Sequence, residues 1–279
     1  MIKLYNIDHL SLDETFLCGQ CFRWEKDENG VFWGVVKNHA AKMYYHDENT
    51  IYLESSNPDL IFWSRYLSFS SDYNVIEEAL WTNELLRPSI EKGRGIRILK
   101  QDLWETIITF IISANNNIPR IKKIVSALCE NFGERIEFEG KTFFGFPTPE
   151  TLAKLSVDDL KIIRAGFRDK YLLDAAQKVV SGEISLDAIQ TMNDKDAKKE
   201  LMKINGVGNK VADCVLLFAL GRYKTFPQDV WIKRILADLY GVEEKDIPVF
   251  AKKTFGNFGG VAQQYLYYYY AVKKADIAG

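Results

Sequence analysis

The chain has 279 residues, of which 47% are hydrophobic and 27% are charged, and its formal net charge is -2 at pH 7. This length excludes a disulfide-stapled miniprotein and is sufficient for one or two domains with a sizeable core. The near-neutral charge, taken alone, argues against a protein that binds nucleic acid, because such proteins are usually basic.

The four cysteines are too few to form a disulfide framework in a chain of this length. The first residues lack the basic and apolar regions of a secretory signal, and no apolar stretch is as long as the roughly 18 residues of a membrane span. We therefore expect a soluble intracellular protein with no membrane partner.

Short apolar runs separated by turn residues fill the chain up to about Tyr73. These runs are rich in aromatic and β-branched residues and predict antiparallel strands, and the sequence Glu28-Asn29-Gly30 between two of them predicts a hairpin. A helix is expected over residues 58–67. The predicted strands lie at residues 22–24, 31–36, 43–45 and 51–53.

After Arg87-Pro88 the apolar residues follow a helical spacing, and Thr148 and Ser156 have the side chains of helix N-caps. The fold class predicted is α+β. A small N-terminal antiparallel β-sheet domain, residues 1–86, precedes a larger all-helical domain, residues 87–279, which ends in a helix from about Val261.

Two apolar helical segments flank Gly206-Val207-Gly208, which predicts a helix-hairpin-helix over about residues 195–220. Glycines permit a tight turn, and the exposed N–H groups at the start of the second helix can bind a phosphate without reading sequence. A plain connection between two helices has the same local pattern.

Lys210 lies in the first turn of the second helix, where the helix dipole disfavours a cation. It is either a solvated lysine that contacts phosphate or a nucleophilic amine able to form a Schiff base. Asp229 precedes another amphipathic helix, and capping of that helix is its simplest role.

Further motifs accompany these residues in a fixed order: Gly-Gln-Cys-Phe-Arg-Trp at 19–24, Ile-Arg-Ile-Leu-Lys-Gln-Asp at 96–102 and Asn-Asn-Asn-Ile-Pro-Arg at 115–120. Together the motifs resemble the helix-hairpin-helix DNA glycosylases, and within them the 8-oxoguanine DNA glycosylases. The resemblance implies a bifunctional base-excision repair enzyme that flips 8-oxoguanine out of double-stranded DNA. Lys210 would attack C1′ and form a Schiff base that allows β-elimination, and Asp229 would stabilise the sugar cation.

The resemblance also implies four residues that recognise the base. The carbonyl of Gly19 would accept a hydrogen bond from N7–H, which guanine lacks, and Gln263 would read the Watson–Crick edge. Cys214, as a thiolate paired with the Lys210 ammonium, and Tyr267 would cover the two faces. Without the resemblance, Cys214 reads as a small buried residue and the tyrosines as part of a helix that packs on the core.

For the rest of the duplex, the resemblance assigns Asn115 to the space left by the base and Phe167 to a wedge between bases. Arg120 and Arg168 would contact the orphaned cytosine. The hairpin residues Gly206, Val207 and Gly208 would bind phosphate, residues 164–171 would form a loop between helices, and the protein would act as a monomer without a cofactor.

Three positions depart from the family pattern. Trp231 stands where eukaryotic members have histidine, and Val272 stands near the position of a further arginine against the orphaned cytosine. We therefore expect a weaker preference for cytosine opposite the lesion. Asn205 replaces the proline common before Gly-Val-Gly, which the turn should tolerate.

Other functions are less consistent with the sequence. Cys18-x-x-Cys21 lacks the second Cys or His pair of a zinc site, the three histidines are scattered, and no cysteine follows Cys214 to hold an iron–sulfur cluster. We therefore predict no metal. The alternatives are an alkylbase glycosylase that activates water and a non-catalytic DNA-binding module.

The net charge is an average over unlike regions. Residues 47–84 contain eight acidic residues and one basic residue, whereas residues 203–234 contain six basic and two acidic residues, and residues 87–100 contain five basic and one acidic residue. Basic residues thus concentrate near the DNA-binding motifs. This distribution predicts few phosphate contacts and a modest salt dependence of binding.

Overall fold

The computed structural model describes residues 1–5, 7 and 9–273, apart from the side chains of residues 271–273. A five-stranded antiparallel sheet forms the N-terminal part, with the strand order β1-β5-β4-β3-β2. Phe32 and Leu53 flank Met43 on neighbouring strands, so their side chains share the buried face. The strands are β1 (Ile2–Tyr5), β2 (Trp24–Lys26), β3 (Phe32–Val36), β4 (His39–Asp47) and β5 (Thr50–Ser55).

The hairpin predicted between β2 and β3 is confirmed. Asp27 Oδ1 accepts hydrogen bonds from the backbone N–H groups of Asn29 and Val31 at 2.9 and 3.0 Å, and Gly30 supplies the positive φ of 80° that the turn requires. The strand predicted over residues 22–24 was wrong in its bounds, because β2 begins only at Trp24. Phe22 instead packs edge-on against Phe110 of the helical part, with ring centroids 5.8 Å apart.

Helices dominate the rest of the chain. They are α1 (Leu12–Phe16), α2 (Leu60–Tyr66), α3 (Tyr73–Trp81), α4 (Arg87–Lys92), α5 (Leu103–Ser113), α6 (Ile118–Phe132), α7 (Pro149–Ala153), α8 (Val157–Leu160), α9 (Asp169–Val180), α10 (Leu186–Thr191), α11 (Asp194–Leu201), α12 (Asn209–Phe218), α13 (Val230–Tyr240), α14 (Ile247–Phe255) and α15 (Gly259–Tyr267). A π-helical segment, Tyr268–Lys273, continues α15. In the part of the chain that is described, no helix is long and apolar enough to cross a membrane.

Side-chain caps begin several of these helices as predicted. Thr148 caps α7, and Ser156 forms a capping box with Asp159 at the start of α8. The loop predicted over residues 164–171 was wrong in its second half, because α9 already begins at Asp169. Its first half contains Arg164 in the left-handed region, with φ 56°.

The sequence predicted that the part after residue 86 is all-helical, and this was wrong in one place. Strands β6 (Arg135–Phe138) and β7 (Lys141–Phe144) form a hairpin between α6 and α7. Its turn places both Glu139 and Gly140 at positive φ, 52° and 72°. The ring of Phe143 stacks on Trp33 of β3 at 6.2 Å, so the hairpin joins the helical part to the sheet.

The segment from residue 18 to residue 24 runs between two hydrophobic clusters. Cys18 and Phe22 belong to the larger cluster, which the helices form, whereas Cys21 and Trp24 belong to the smaller cluster between the sheet and α1 and α2. Gly19 is therefore held where the two parts of the molecule meet. The domain boundary at residue 86 stays a prediction.

Candidate active site

A cavity of about 410 Å³ opens beside the segment that carries Gly19. Helices α5, α12 and α15 contribute to its walls, together with the residues around the start of α13. All six side chains or backbone groups predicted for catalysis and base recognition line this one cavity: Gly19, Lys210, Cys214, Asp229, Gln263 and Tyr267. Its volume is in the range of sites that bind small organic groups.

Lys210 is the second residue of α12, in the first turn, as predicted. Its Nζ donates to Ser113 Oγ at 3.3 Å and lies 5.1 Å from the centroid of the Phe110 ring. Among the described residues, no carboxylate lies within 4 Å of this amine. The Lys210 amine thus lines the cavity and is not held in an ion pair with any described residue.

Asp229 is the N-cap of α13, so the capping role predicted for it is confirmed. Its Oδ1 accepts a hydrogen bond from the backbone N–H of Ile232 at 2.8 Å. Within the described residues, no donor reaches the second carboxylate oxygen. One oxygen therefore fixes the side chain, and the other remains available to a molecule in the cavity.

Cys214 lies one turn after Lys210 on the same face of α12, and it is buried. Burial raises the pKa of the Cys214 thiol to about 11, although the nearby Lys210 ammonium acts in the opposite direction. Burial thus favours the protonated thiol, and the pairing of a Cys214 thiolate with the Lys210 ammonium stays a prediction. The residue provides a small apolar wall.

Gly19 and Tyr267 lie close to each other in the wall of the cavity. Gly19 has φ +83°, and a Cβ atom at this position would lie 3.2 Å from Tyr267 Cε1 and 3.3 Å from Ile118 Cδ1. Any other residue would thus be strained and crowded. Gln263 is buried, and its Oε1 has no hydrogen-bond partner. A buried amide oxygen without a donor is suited to a ligand that supplies one.

Three of the residues predicted to hold the duplex, Asn115, Arg120 and Phe167, lie outside the cavity, on the surface. Asn115 has φ +52° in the link between α5 and α6, and it is exposed, as is Arg120 in the first turn of α6. Phe167 is 56% exposed in a short 3₁₀ segment before α9. An exposed phenylalanine beside two polar residues agrees with a wedge that meets DNA.

Arg168 does not face outward with its neighbours. It is only 3% exposed, and its guanidinium donates to the carbonyls of Ala114, Asn115 and Ala165. The bond to Asn115 measures 2.9 Å and joins the Phe167 segment to the Asn115 link. In this conformation Arg168 supports Asn115, and its contact with an orphaned cytosine stays a prediction.

The predicted hairpin lies between α11 and α12. Gly206 has φ +85°, and a Cβ atom there would lie 2.6 Å from the Tyr171 ring. The Tyr171 ring also meets the Phe167 ring at a steep angle, with ring centroids 6.1 Å apart. Val207 is buried, and Gly208 caps α12 without a side chain, which leaves the first N–H groups to an external acceptor. Asn205, at the position of the family proline, donates through its backbone N–H to Asp174 at 2.8 Å.

Several basic residues counted near the motifs are not available to DNA. Arg97 is buried, and its guanidinium donates to the carbonyls of Leu67, Ser68 and Ser71. Arg222, which was also counted, donates to the carbonyl of Met192 at 3.1 Å and pairs with Asp194 at 3.4 Å. The surface therefore has less positive charge than the sequence count suggested.

Some residues around the cavity were missed at the sequence level. Ser113 lies two residues before the first asparagine of the Asn-Asn-Asn motif, and Gln264 follows the predicted reader Gln263, so their positions were a usable signal. Nothing in the sequence distinguished Phe218 from other core residues. Trp231, noted only as a departure, lines the cavity and is 47% exposed, whereas the side chain of Val272 lies outside the described residues.

No group of three or more His, Cys, Asp or Glu side chains is placed to hold a metal ion within the described residues. The cavity's own chemistry consists of an amine, a carboxylate, a thiol, an amide and a backbone carbonyl. An amine that shares a partly apolar cavity with a carboxylate can attack an electrophilic carbon.

Comparison with known proteins agrees with this geometry. Residues 3–107 match the model of the N-terminal domain of 8-oxoguanine DNA glycosylase, and residues 108–256 match that of the HhH-GPD superfamily of base excision DNA repair proteins. The chain belongs to the 8-oxoguanine DNA glycosylase family of this superfamily. It is 31% identical to an N-glycosylase/DNA lyase of Saccharomyces cerevisiae, over 83% of this chain and 70% of the relative.

Two solved structures are similar to this chain over almost its whole length. One is MBOgg1 in complex with a low-affinity DNA ligand, with a TM-score of 0.94 and 43% identity over 98% of this chain and 96% of the other. The second is the 8-oxoguanine glycosylase/lyase of Clostridium acetobutylicum with double-stranded DNA that contains cytosine opposite 8-oxoguanine. Its TM-score is 0.92, at 38% identity over 96% of this chain and 94% of the other.

Proposed function

We propose that this protein is a bifunctional 8-oxoguanine DNA glycosylase and DNA lyase of base-excision repair. The single observation that carries the proposal is the convergence of Lys210 and Asp229 with four predicted base-recognition residues on one cavity. The relatives named above are a glycosylase/lyase and an N-glycosylase/DNA lyase, which supports the same activity.

The substrate base must leave the duplex, because C1′ is inaccessible while the base is stacked. In the proposed complex, the base lies between Tyr267 and Cys214, which contribute an aromatic ring and a small apolar group. The Gly19 carbonyl accepts from N7–H, and the unpartnered Gln263 Oε1 accepts from the Watson–Crick edge. Guanine presents a lone pair at N7, so two acceptors would face each other and the undamaged base would be rejected.

Base release begins with the Lys210 amine. Its nitrogen lone pair forms a bond to C1′ while the glycosidic bond breaks and its electron pair leaves with the base, which takes up a proton. Asp229 stabilises the positive charge that develops on the sugar. Opening of the sugar ring gives a protonated Schiff base, loss of a C2′ proton expels the 3′ phosphate, and hydrolysis restores the lysine.

On the duplex side, Phe167 and Asn115 occupy the space beside and behind the extruded base, and the hairpin binds phosphate through its N–H groups. Residues 203–234 carry six basic and two acidic residues, and from this small excess of positive charge binding should depend only modestly on salt. We also propose that the protein acts as a monomer inside the cell.

Borohydride trapping tests the lysine mechanism. A duplex that contains 8-oxoguanine should form a covalent adduct with the wild-type chain when the Schiff base is reduced. Lys210→Gln should abolish the adduct, whereas Lys203→Gln, which replaces another lysine near the hairpin, should retain it. Base release by the Lys210→Gln protein at the wild-type rate would instead support activation of water, as in the alkylbase glycosylases. Duplex binding without base release would support a non-catalytic module.

A further inference from the structure

Two glutamine side chains hold the backbone on either side of Gly19. Gln264 Nε2 donates to the carbonyl of Cys18 at 2.8 Å, and Gln101 Nε2 donates to the carbonyl of Gln20 at 2.7 Å. Gln101 and Gln264 are called the glutamine clamp below. They come from distant parts of the chain, so the turn at Gly19 is fixed by tertiary contacts rather than by local sequence.

The clamp leaves only the middle carbonyl unbound. Among the described residues, no N–H or O–H group donates to the Gly19 carbonyl, although both flanking carbonyls are occupied. Gly19 has φ +83°, which glycine adopts at little cost together with many other conformations. Without external bonds, the peptide after such a residue can rotate, and its carbonyl direction is poorly determined.

The clamp also connects this turn to the helices that form the cavity. Gln264 lies in α15 next to Gln263, and the backbone N–H of Gln101 donates to the carbonyl of Phe218, the last residue of α12, at 2.8 Å. Helix α12 bears Lys210 and Cys214. The Gly19 carbonyl is thereby fixed relative to the nucleophile and to the other base-recognition residues.

The inner side of the turn is fastened by the side chain of Gln20, which is fully buried. Its Nε2 donates to the carbonyls of Thr15 and Arg97 at 2.9 and 2.8 Å, and its Oε1 accepts from the N–H of Leu99 at 2.9 Å. Because every polar atom of this amide is engaged inside the core, Gln20 is a structural residue. It is a poor site for a functional test, and the two clamp residues are better ones.

We propose that Gln101 and Gln264 are positioning residues that determine the selectivity for the oxidised base, because they fix the direction of the Gly19 carbonyl. This inference rests on the proposed function. The distinction between 8-oxoguanine and guanine depends on one N7–H donor, and a hydrogen bond weakens steeply when its angle departs from linearity. A carbonyl that rotates loses selectivity even though all residues that touch the base remain present.

The test compares three substrates with Gln101→Met and Gln264→Met, which keep the side-chain length and remove the donor. The substrates are duplexes with 8-oxoguanine, with 7-deaza-8-oxoguanine, in which C–H replaces N7–H, and with an abasic site. Gln190→Met is the matched control. Gln101 and Gln190 both line a second cavity, of about 490 Å³, but Gln190 makes no hydrogen bond to the turn at Gly19.

Wild-type protein should release 8-oxoguanine at least about tenfold faster than the 7-deaza base, since the latter lacks the donor. Each clamp variant should release 8-oxoguanine about tenfold more slowly than the wild type. Its rates of 7-deaza base release and of abasic-site cleavage should stay within about twofold of the wild-type rates, so that the two bases are released at similar rates. The Gln190→Met protein should behave as the wild type does.

Other results overturn the proposal. The clamp variants could release 8-oxoguanine and the 7-deaza base more slowly by the same factor, cleave the abasic site more slowly, or melt at a much lower temperature than the wild type. Any of these results would mean that the two glutamines stabilise the general structure and do not determine selectivity. If the wild-type chain treats the two bases alike, the Gly19 carbonyl does not read N7–H. Failure of the proposed function is a separate outcome, because wild-type protein would then form no borohydride adduct on the abasic duplex either.

Discussion

The cavity and the surface around it are built in different ways. Lys210 and Cys214 lie on α12 and Gln263 lies on α15, and both helices are largely buried. The turn at Gly19 is hydrogen-bonded to both helices through Gln264 and Gln101. The surface that would meet the duplex consists instead of exposed side chains on short connections, such as Asn115 and Phe167.

This difference indicates where each part of the function originates. The cavity is formed before DNA arrives, so selectivity for the base is a property of packing and of buried hydrogen bonds. In the proposed complex the exposed residues offset the cost of extruding the base from the duplex, and we expect each of them to be replaceable without loss of the fold. Substitutions of cavity residues should therefore abolish base release. Substitutions of surface residues should slow base release by a factor that depends on the substrate duplex.

The largest effect is expected for Asp229→Asn. Asparagine also caps helices, so the free energy of unfolding should change by less than about 0.5 kcal/mol. The substitution removes the charge that we propose stabilises the sugar cation, and single-turnover base release should fall about 100-fold or more. Asp229→Ala removes the cap as well and should cost about 1 kcal/mol of stability. Base release by the Asp229→Asn protein at the wild-type rate would mean that Asp229 caps α13 and takes no part in the reaction.

The next prediction concerns Cys214, whose thiol pKa burial raises to about 11. Because the thiolate is the reactive form, alkylation at pH 7.5 should be about 100-fold slower than that of an ordinary cysteine, and it should accelerate as the pH rises toward 11. Lys210 lowers this pKa, so Lys210→Gln should slow the reaction further. Peptide mapping after iodoacetamide treatment measures both rates. Rapid alkylation at pH 7.5 would instead support a thiolate paired with the Lys210 ammonium.

A smaller effect is expected for Phe167→Ala on the surface. The side chain is 56% exposed, so stability should not change, but release of 8-oxoguanine from duplex DNA should fall about tenfold. The loss should shrink when the lesion is mispaired, because extrusion then costs less. Ile162→Ala, which removes an apolar side chain that is 59% exposed nearby, is the control. Equal losses with paired and mispaired lesions would contradict a wedge.

The smallest effect is expected for Arg120→Ala. Arg120 is exposed, and a side chain that contacts the orphaned cytosine should affect only lesions opposite cytosine, where release should fall about fivefold. Rates measured across the four opposite bases in the wild type also test the weak preference for cytosine. Arg135→Ala, another exposed arginine, should leave all four rates unchanged. A uniform loss for Arg120→Ala across the four bases would indicate a phosphate contact instead.

Sequence alone predicted the sheet, the helix caps and the hairpin, because these depend on local hydrogen bonds and side-chain periodicity. The cap at Asp229 and the turn at Gly206 are examples. It also predicted which residues would meet at the cavity, through the family motifs.

The clamp and the inward turn of Arg168 could not be predicted. A buried amide or guanidinium selects its acceptor carbonyl only when distant segments have packed, as Gln264 does with Cys18. Periodicity does not encode such choices. The β6–β7 hairpin was missed for a related reason, since its short strands are stabilised by Phe143 against the distant Trp33.

The central claim is that Lys210 becomes covalently attached to the sugar of the damaged nucleotide. Borohydride reduction during turnover on an 8-oxoguanine duplex, followed by nuclease and protease digestion and mass spectrometry, identifies the modified residue directly. The account predicts a reduced sugar adduct on the peptide that contains Lys210 and on no other lysine. An adduct located at another amine, with the Lys210 peptide unmodified, would contradict it.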